Sequence, residues 1–192
     1  MNIYDYRGRI SIEAYFERCE VFHGFLAPGV VLGGLIVDYI LDEMGLSHEF
    51  DAVVETRKCL PDAVQLLTPC SVGNGWMRVM DWGKLAITLY DYQTRDAMRV
   101  ALDYDKLDRY PLVRAWALKT LPKKENPLEP LVDEMLQGRR DMFSRWSGSV
   151  GTLAAPGPPY GQPRVCTRCG EVFRNGTGTV CQGCLEPFFT EQ

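Results

Sequence analysis

No stretch of this 192-residue sequence is both long and apolar enough to cross a bilayer; the most apolar run, Val30 to Leu41, is too short and is interrupted by Asp38. A basic surplus is missing as well. The 21 lysines and arginines stand against 25 aspartates and glutamates, leaving a net charge of −4. General nucleic-acid binders need a positive patch to displace counterions, so that class is disfavoured. The N-terminus, Met1 to Tyr6, lacks a basic region followed by an apolar run, so no signal peptide is expected there. Seven cysteines, an odd number, fit a reducing compartment better than a disulfide scaffold. There is no internal repeat, no βαβ rhythm and no Ser/His/Asp constellation. These absences leave a soluble, cytoplasmic chain, long enough for one good core plus a small appended module.

Against this plain background one pattern is specific. Cys166-Thr-Arg-Cys169 and Cys181-Gln-Gly-Cys184 are separated by eleven residues. Four thiolates at this spacing can close a tetrahedron around one zinc ion, with each pair on a tight turn. Gly170 and Gly183 are placed where a positive φ would help such turns. Two disulfides or free thiols are the rival reading; without a mark of secretion, zinc is preferred. A closed set of four ligands leaves no open position, so the metal is structural.

Residues 148–163 are rich in Gly and Pro and carry no charge, which reads as a linker, extended in its Pro-rich part. It separates a core domain, 1–147, from a four-cysteine zinc module, 164–192. So small a module would draw much of its folding free energy from the metal.

Within the core, Ile12, Tyr15, Phe16, Cys19 and Phe22 recur at helical spacing after Ser11, a plausible N-cap. A second helix is expected over 29–44, stopped by Gly45. Residues 51–57 read as a strand, and 61–67 as a short helix begun by proline. Runs 76–81 and 84–90 read as two strands joined in a hairpin at Trp82-Gly83. Residues 94–118 read as helix broken at Pro111, and 130–146 as an amphipathic helix with Leu131, Met135 and Phe143 on its apolar face. This mixture gives an α+β core, helices on a mainly antiparallel sheet.

Few residues offer chemistry. His23 lies between two helices, flanked by Gly24 and Pro28-Gly29, where backbone can approach a ligand and a helix start offers free amides. The plain alternative is a turn histidine satisfied by a backbone carbonyl. Cys59 follows Arg57 and Lys58 at a strand-to-helix junction, and these cations with the helix start are expected to lower its pKa. That suits a metal ligand or nucleophile, against a small buried packing residue. Cys70 precedes a glycine-rich turn without a Walker lysine, and a redox pair of Cys59 with Cys70 is conceivable. Cys19 falls on an apolar helix face and reads as core. Asp81-Trp82-Gly83-Lys84 reads as a solvated turn, and His48 as an exposed loop residue.

Taken together, several segments resemble the FmdE family of formylmethanofuran dehydrogenase proteins. Phe22-His23-Gly24-Phe25-Leu26-Ala27-Pro28-Gly29 is similar to its Phe-His-Gly-His-Leu-Cys-Pro-Gly motif. Cys59-Leu60-Pro61-Asp62-Ala63-Val64-Gln65 is similar to Cys-x-x-Asp-Ala-Ile-Gln. Thr68-Pro69-Cys70-Ser71-Val72-Gly73-Asn74-Gly75 resembles Thr-Gly-Cys-Thr-x-Gly-Lys-Gly, and Asp81-Trp82-Gly83-Lys84 resembles Asp-Tyr-Gly-Lys. The resemblance implies an α+β core, a homodimer, a C-terminal treble-clef zinc finger and a core metal site. His23, Cys59 and Cys70 are the candidates for that second metal, with Asp62 lining the same region. Phe25 and Ala27 replace a histidine and a cysteine of the family pattern, so ligands are lost. The family's redox reaction needs a molybdenum or tungsten pterin and iron–sulfur clusters from other oxidoreductase subunits; this chain has no further cysteine set for a cluster. Two roles follow: a non-catalytic accessory or ligand-binding protein, or an enzyme using Cys59 with His23 as base. A nucleic-acid role for the tail is disfavoured, because Arg164, Arg168 and Arg174 are balanced by Glu171, Glu186 and Glu191.

Overall fold

Ser11 acts as the N-cap its position suggests: its hydroxyl accepts from the Ala14 N–H at 3.1 Å and starts α1 (Ile12–His23). In this computed structural model, residues 1–45, 49–122, 125, 127–153, 161–174 and 178–187 are described; His48 lies outside them. The chain divides into two units, Met1–Gly151 and Thr152–Gln192.

A hairpin precedes α1, with β1 (Asn2–Asp5) antiparallel to β2 (Gly8–Ser11). Next comes α2 (Pro28–Met44), stopped at Gly45 as expected. It is buried nearly all round, which explains its unbroken apolar sequence. Its one buried charge, Asp38, accepts from the Tyr4 N–H at 2.8 Å and lies 3.7 Å from Arg139. Gly34 lets α1 approach: a Cβ there would meet the Tyr15 ring at 2.4 Å. The Tyr15 hydroxyl in turn donates to the Val30 carbonyl at 2.7 Å.

The main sheet contains β3 (Phe50–Val54), β4 (Met77–Val79), β5 (Ala86–Asp91), β6 (Asp96–Leu102) and β7 (Phe143–Ser149), in the order β4-β3-β5-β6-β7. Only β3 and β4 run parallel. The mainly antiparallel α+β expectation therefore holds. One face, with Phe50, Ala52, Val54, Ile87, Leu89, Met98 and Val100, belongs to the same core as α2. The remaining helices of this unit are α3 (Leu60–Leu67), α4 (Pro111–Leu118) and α5 (Leu128–Gly138).

Several local expectations fail for identifiable reasons. The runs flanking Trp82-Gly83 do not pair with each other, because β3 lies between them. The Trp82 and Lys84 N–H groups both donate to the Glu55 carbonyl, so this turn wraps the end of β3. Glu55 to Arg57 lie beyond the strand. Residues 96–102, helix formers by composition, form β6, since pairing Met98 with Leu89 and Val100 with Ile87 places both on the core face. A 3-10 segment, Tyr104–Arg109, follows, and helix resumes only at Pro111. Likewise α5 ends at Gly138, and Phe143 to Trp146 are strand, Phe143 pairing with Leu102. The same strand takes in Ser147, Gly148 and Ser149, so the stretch expected as linker is in part the sheet's edge. Residues 154–160, its Pro-rich part, lie outside the described residues.

On the other sheet face Arg99 grips Glu55 with both arms, Nε to Oε1 at 2.5 Å and Nη2 to Oε2 at 2.8 Å. The Glu55 side chain is only 4% exposed. Arg99→Ala strands that carboxylate and is expected to cost about 3 kcal/mol. A urea midpoint within error of wild type would show that the pair contributes nothing.

Candidate functional site

Two elements bring the sequence-predicted core residues together. Helix α1 delivers His23 at its last position, and Gly24 at φ 89° turns the chain away. Helix α3 delivers Cys59 at its N-cap and Asp62 in its first turn. The Nδ1 atom of His23 lies 2.5 Å from Asp62 Oδ2, and its Nε2 lies 4.0 Å from Cys59 Sγ. A carboxylate oxygen is placed to accept from Nδ1–H, which leaves Nε2 as the ring nitrogen facing the thiol. Asp62 thus fixes both the tautomer and the orientation of the ring, as a carboxylate does behind a metal-binding or catalytic histidine.

Cys59 is held in an uncommon conformation. Its φ and ψ are 55° and −51°, and the Leu60 N–H donates to the Lys58 carbonyl at 2.6 Å, closing a γ-turn on Cys59. Positive φ in a non-glycine residue is strained and persists where the surroundings impose it. Here the start of α2 packs directly against it. A Cβ on Gly29 would lie 2.7 Å from Cys59 Cβ and 3.0 Å from its sulfur, so only glycine permits this approach.

The electrostatics reverse the sequence expectation. The Cys59 thiol is pushed up, first by burial and then by Asp62, and Lys58 offsets only part of this. Arg57 turns to an ion pair with Asp81 at 3.2 Å. In the same turn the Lys84 ammonium lies 5.6 Å from the Trp82 ring centre.

Cys70 is not brought to this cluster. It is fully buried, donates to the Phe50 carbonyl at 3.2 Å, and is pushed up to about 12 by burial. The whole of α3, roughly 12 Å for eight residues, separates it from Cys59. That distance also excludes a Cys59–Cys70 disulfide. Cys19 is buried in the core, as expected.

Phe25 and Ala27 occupy the positions where the resemblance placed further ligands. Ala27 is buried, whereas Phe25 is exposed with its ring 5.1 Å from the His23 ring. Phe25 also lines a cavity of about 600 Å³ with Leu26, Pro28, Trp116, Lys119, Leu128 and Leu131. Trp116 lies 3.8 Å from where a Gly29 Cβ would stand, so this cavity adjoins Cys59. The sequence marks His23, Cys59 and Asp62; it does not mark Trp116 or α5, which carry no motif.

In the second unit, β8 (Arg164–Val165) and β9 (Val172–Phe173) form a short hairpin around Cys166 and Cys169, and Gly170 takes φ 78° as expected. Cys181 caps α6 (Gln182–Leu185), which contains Cys184 and also Gly183, there in helical conformation. The four sulfurs lie within 4.8 Å of one another, with Cys166–Cys184 at 3.9 Å and Cys169–Cys181 at 3.8 Å. Sulfurs on a tetrahedral metal at about 2.3 Å stand about 3.8 Å apart. The Cys181 and Arg168 N–H groups donate to Cys166 Sγ, and backbone donors pull that thiol down to about 6. Burial and then its neighbour thiols push Cys184 up to about 12, so four thiolates need a cation between them. Among the described residues this is the one group of three or more ligand side chains gathered closely enough for a metal.

Residues 22–145, which span the His23, Cys59, Cys70 and Asp81 motifs, match the family model described as "FmdE, Molybdenum formylmethanofuran dehydrogenase operon". The chain belongs to the FmdE family. It is also similar to a crystal structure of a tungsten formylmethanofuran dehydrogenase FmdE-like protein from Syntrophus aciditrophicus. That match has 34% identity and a TM-score of 0.82, covering 98% of this chain and 100% of the other. A probable S-adenosyl-L-methionine-binding protein of Archaeoglobus fulgidus is 29% identical over 101 residues, which are 48% of this chain and 28% of that relative. This FmdE-family chain thus spans under a third of that relative's length. No described helix is long and apolar enough to cross a membrane.

Proposed function

We propose that this FmdE-family chain is a non-catalytic accessory or binding protein of formylmethanofuran dehydrogenase-type one-carbon metabolism. It receives a small ligand in the cleft formed by His23, Cys59 and the neighbouring apolar cavity. One observation carries the reading. Two groups of metal-ligand type, His23 Nε2 and Cys59 Sγ, converge 4.0 Å apart, while Phe25 and Ala27 supply no further donors. Two protein ligands hold a divalent ion weakly, so the cleft is suited to a ligand with an apolar body and a polar end facing His23. The tail's four cysteines hold one structural zinc, the working unit is a cytoplasmic homodimer, and its partners are oxidoreductase subunits. Affinity capture of the tagged chain from native lysate tests the assignment: co-purifying dehydrogenase subunits support it, and a lone homodimer counts against it. S-Adenosyl-L-methionine is the first ligand to titrate, given the name of the Archaeoglobus relative.

A second reading, thiol catalysis, is favoured by the Asp62–His23–Cys59 alignment alone. His23 would take the thiol proton and Asp62 would orient the imidazole. The raised pKa of Cys59 opposes it, so iodoacetamide is expected to alkylate Cys59 more slowly than an ordinary thiol near neutral pH. A faster rate that His23→Ala abolishes would overturn the binding-protein reading.

A further inference from the structure

The opposite end of β3 carries a separate recess. A cavity of about 490 Å³ is lined by Glu49, Phe50, Asp51, Trp76, Tyr92 and Gln93. The sheet register explains how four of these side chains share one face. Asp51 pairs with Tyr90 and Ala52 with Met77. Extending each ladder by one residue sets Glu49 beside Tyr92 and Asp51 beside Trp76. Two hydrogen bonds confirm the extension: Tyr92 N–H to the Glu49 carbonyl at 3.1 Å, and Ala52 N–H to the Trp76 carbonyl at 2.8 Å. Strand alternation then puts Glu49, Asp51, Trp76 and Tyr92 on the face opposite the core residues Phe50, Ala52 and Val54.

Trp76 and Tyr92 flank β3 from its two neighbours. Two strand spacings across the sheet and two residues along β3 separate their backbones by about 12 Å. Both rings border the same recess, and an aromatic face attracts a cation that comes within about 6 Å of its centre. Both rings are exposed, Trp76 47% and Tyr92 62%, and so can reach a ligand in the recess. Between them lie two carboxylates; among the described residues no lysine or arginine lines the recess, although Arg78 and Arg95 act on Tyr90 on the same face. Each carboxylate is already positioned by one hydrogen bond: Gln93 Nε2 donates to Glu49 at 2.6 Å, and the Tyr90 hydroxyl donates to Asp51 at 3.0 Å. Among the described residues no third ligand joins these two carboxylates into a metal cluster. Aromatic walls over a negative floor suit a diffuse, weakly hydrated charge better than a hard ion.

We propose that this recess binds a small organic cation, a methylated ammonium or sulfonium, between Trp76 and Tyr92 and above Glu49 and Asp51. The site stands apart from the His23–Cys59 cleft and does not depend on what that cleft binds. The chain already uses the same attraction beside it, where the Arg95 guanidinium lies 4.7 Å from the Tyr90 ring centre.

Calorimetric titration of the full-length protein with choline, trimethylsulfonium and 3,3-dimethylbutan-1-ol, the neutral isostere of choline, tests the proposal. Saturable binding is expected for both cations, at least about tenfold tighter than for the neutral alcohol. Trp76→Leu and Tyr92→Leu should each weaken choline by about tenfold, while Trp76→Phe should retain most of the affinity. Asp51→Asn with Glu49→Gln should reduce the preference for cation over alcohol. Equal affinity for choline and the alcohol overturns the proposal, and so does the absence of saturable binding to the wild type. Full choline affinity in a folded Trp76→Leu variant, checked by circular dichroism, overturns it as well.

Discussion

Gly34→Val is expected to destabilise the first unit by about 3 kcal/mol or more. A Cβ at position 34 would stand 2.4, 2.6 and 2.7 Å from three atoms of the Tyr15 phenol. Those are far inside van der Waals contact, and the ring has nowhere to go. Tyr15 is fully buried, and its hydroxyl is committed to the Val30 carbonyl one turn earlier on the same helix as Gly34. Relief requires α1 to lift from α2, which would expose Ile12 and Cys19 and pull at His23, the last residue of α1. The variant should therefore lose the His23–Cys59 contact along with stability. Chemical denaturation measures the first effect, and the His23 imidazole NMR signals report the second. A midpoint near wild type would mean that α1 and α2 pack less closely than described. Tyr15→Phe isolates the hydroxyl and should cost about 1 kcal/mol, the value of one buried hydrogen bond.

Removing metal is expected to have an equally large effect, confined to the second unit. Its described strands have two residues each and its helix four, too little to bury a core. Order there depends on the four sulfurs being held at contact distance, and thiolates so close repel without a cation. A strong chelator, or Cys166→Ser, should collapse the amide dispersion of residues 161–174 and 178–187 in an NMR spectrum. The resonances of the first unit and its unfolding midpoint should remain unchanged. Cys166 is the telling position because it is buried and its sulfur accepts the N–H groups of Arg168 and Cys181. Persistence of dispersed tail signals in a metal-free sample would show that the unit folds without metal.

What can be read from the sequence depends on the range of the interaction. Ser11, Gly45 and Gly170 act through bonds to residues three or four positions away, and each does what its type suggests. The C-x2-C pairs are similarly local. Residues 96–102 and 143–149 mislead because the first set and the start of the second favour helix by composition, while their structure is decided by partners elsewhere in the chain. The thiol of Cys59 misleads for a related reason. Its neighbours in sequence are cations, but its neighbour in space is a carboxylate one helical turn on, and Arg57 is taken by Asp81. Phe25 and Ala27 are visible as departures from the family pattern. That Phe25 lies against His23 and opens onto the cavity with Trp116 is apparent only from the packing of α4.

The division of labour between the two units rests on ligand number, four sulfurs in the tail against two donors in the core cleft. Metal content per chain, measured by plasma mass spectrometry on wild type, Cys166→Ser and His23→Ala, tests it most directly. The account predicts one zinc in wild type, one in His23→Ala and none in Cys166→Ser. A metal retained in Cys166→Ser and lost in His23→Ala would contradict it and place a bound ion in the core cleft.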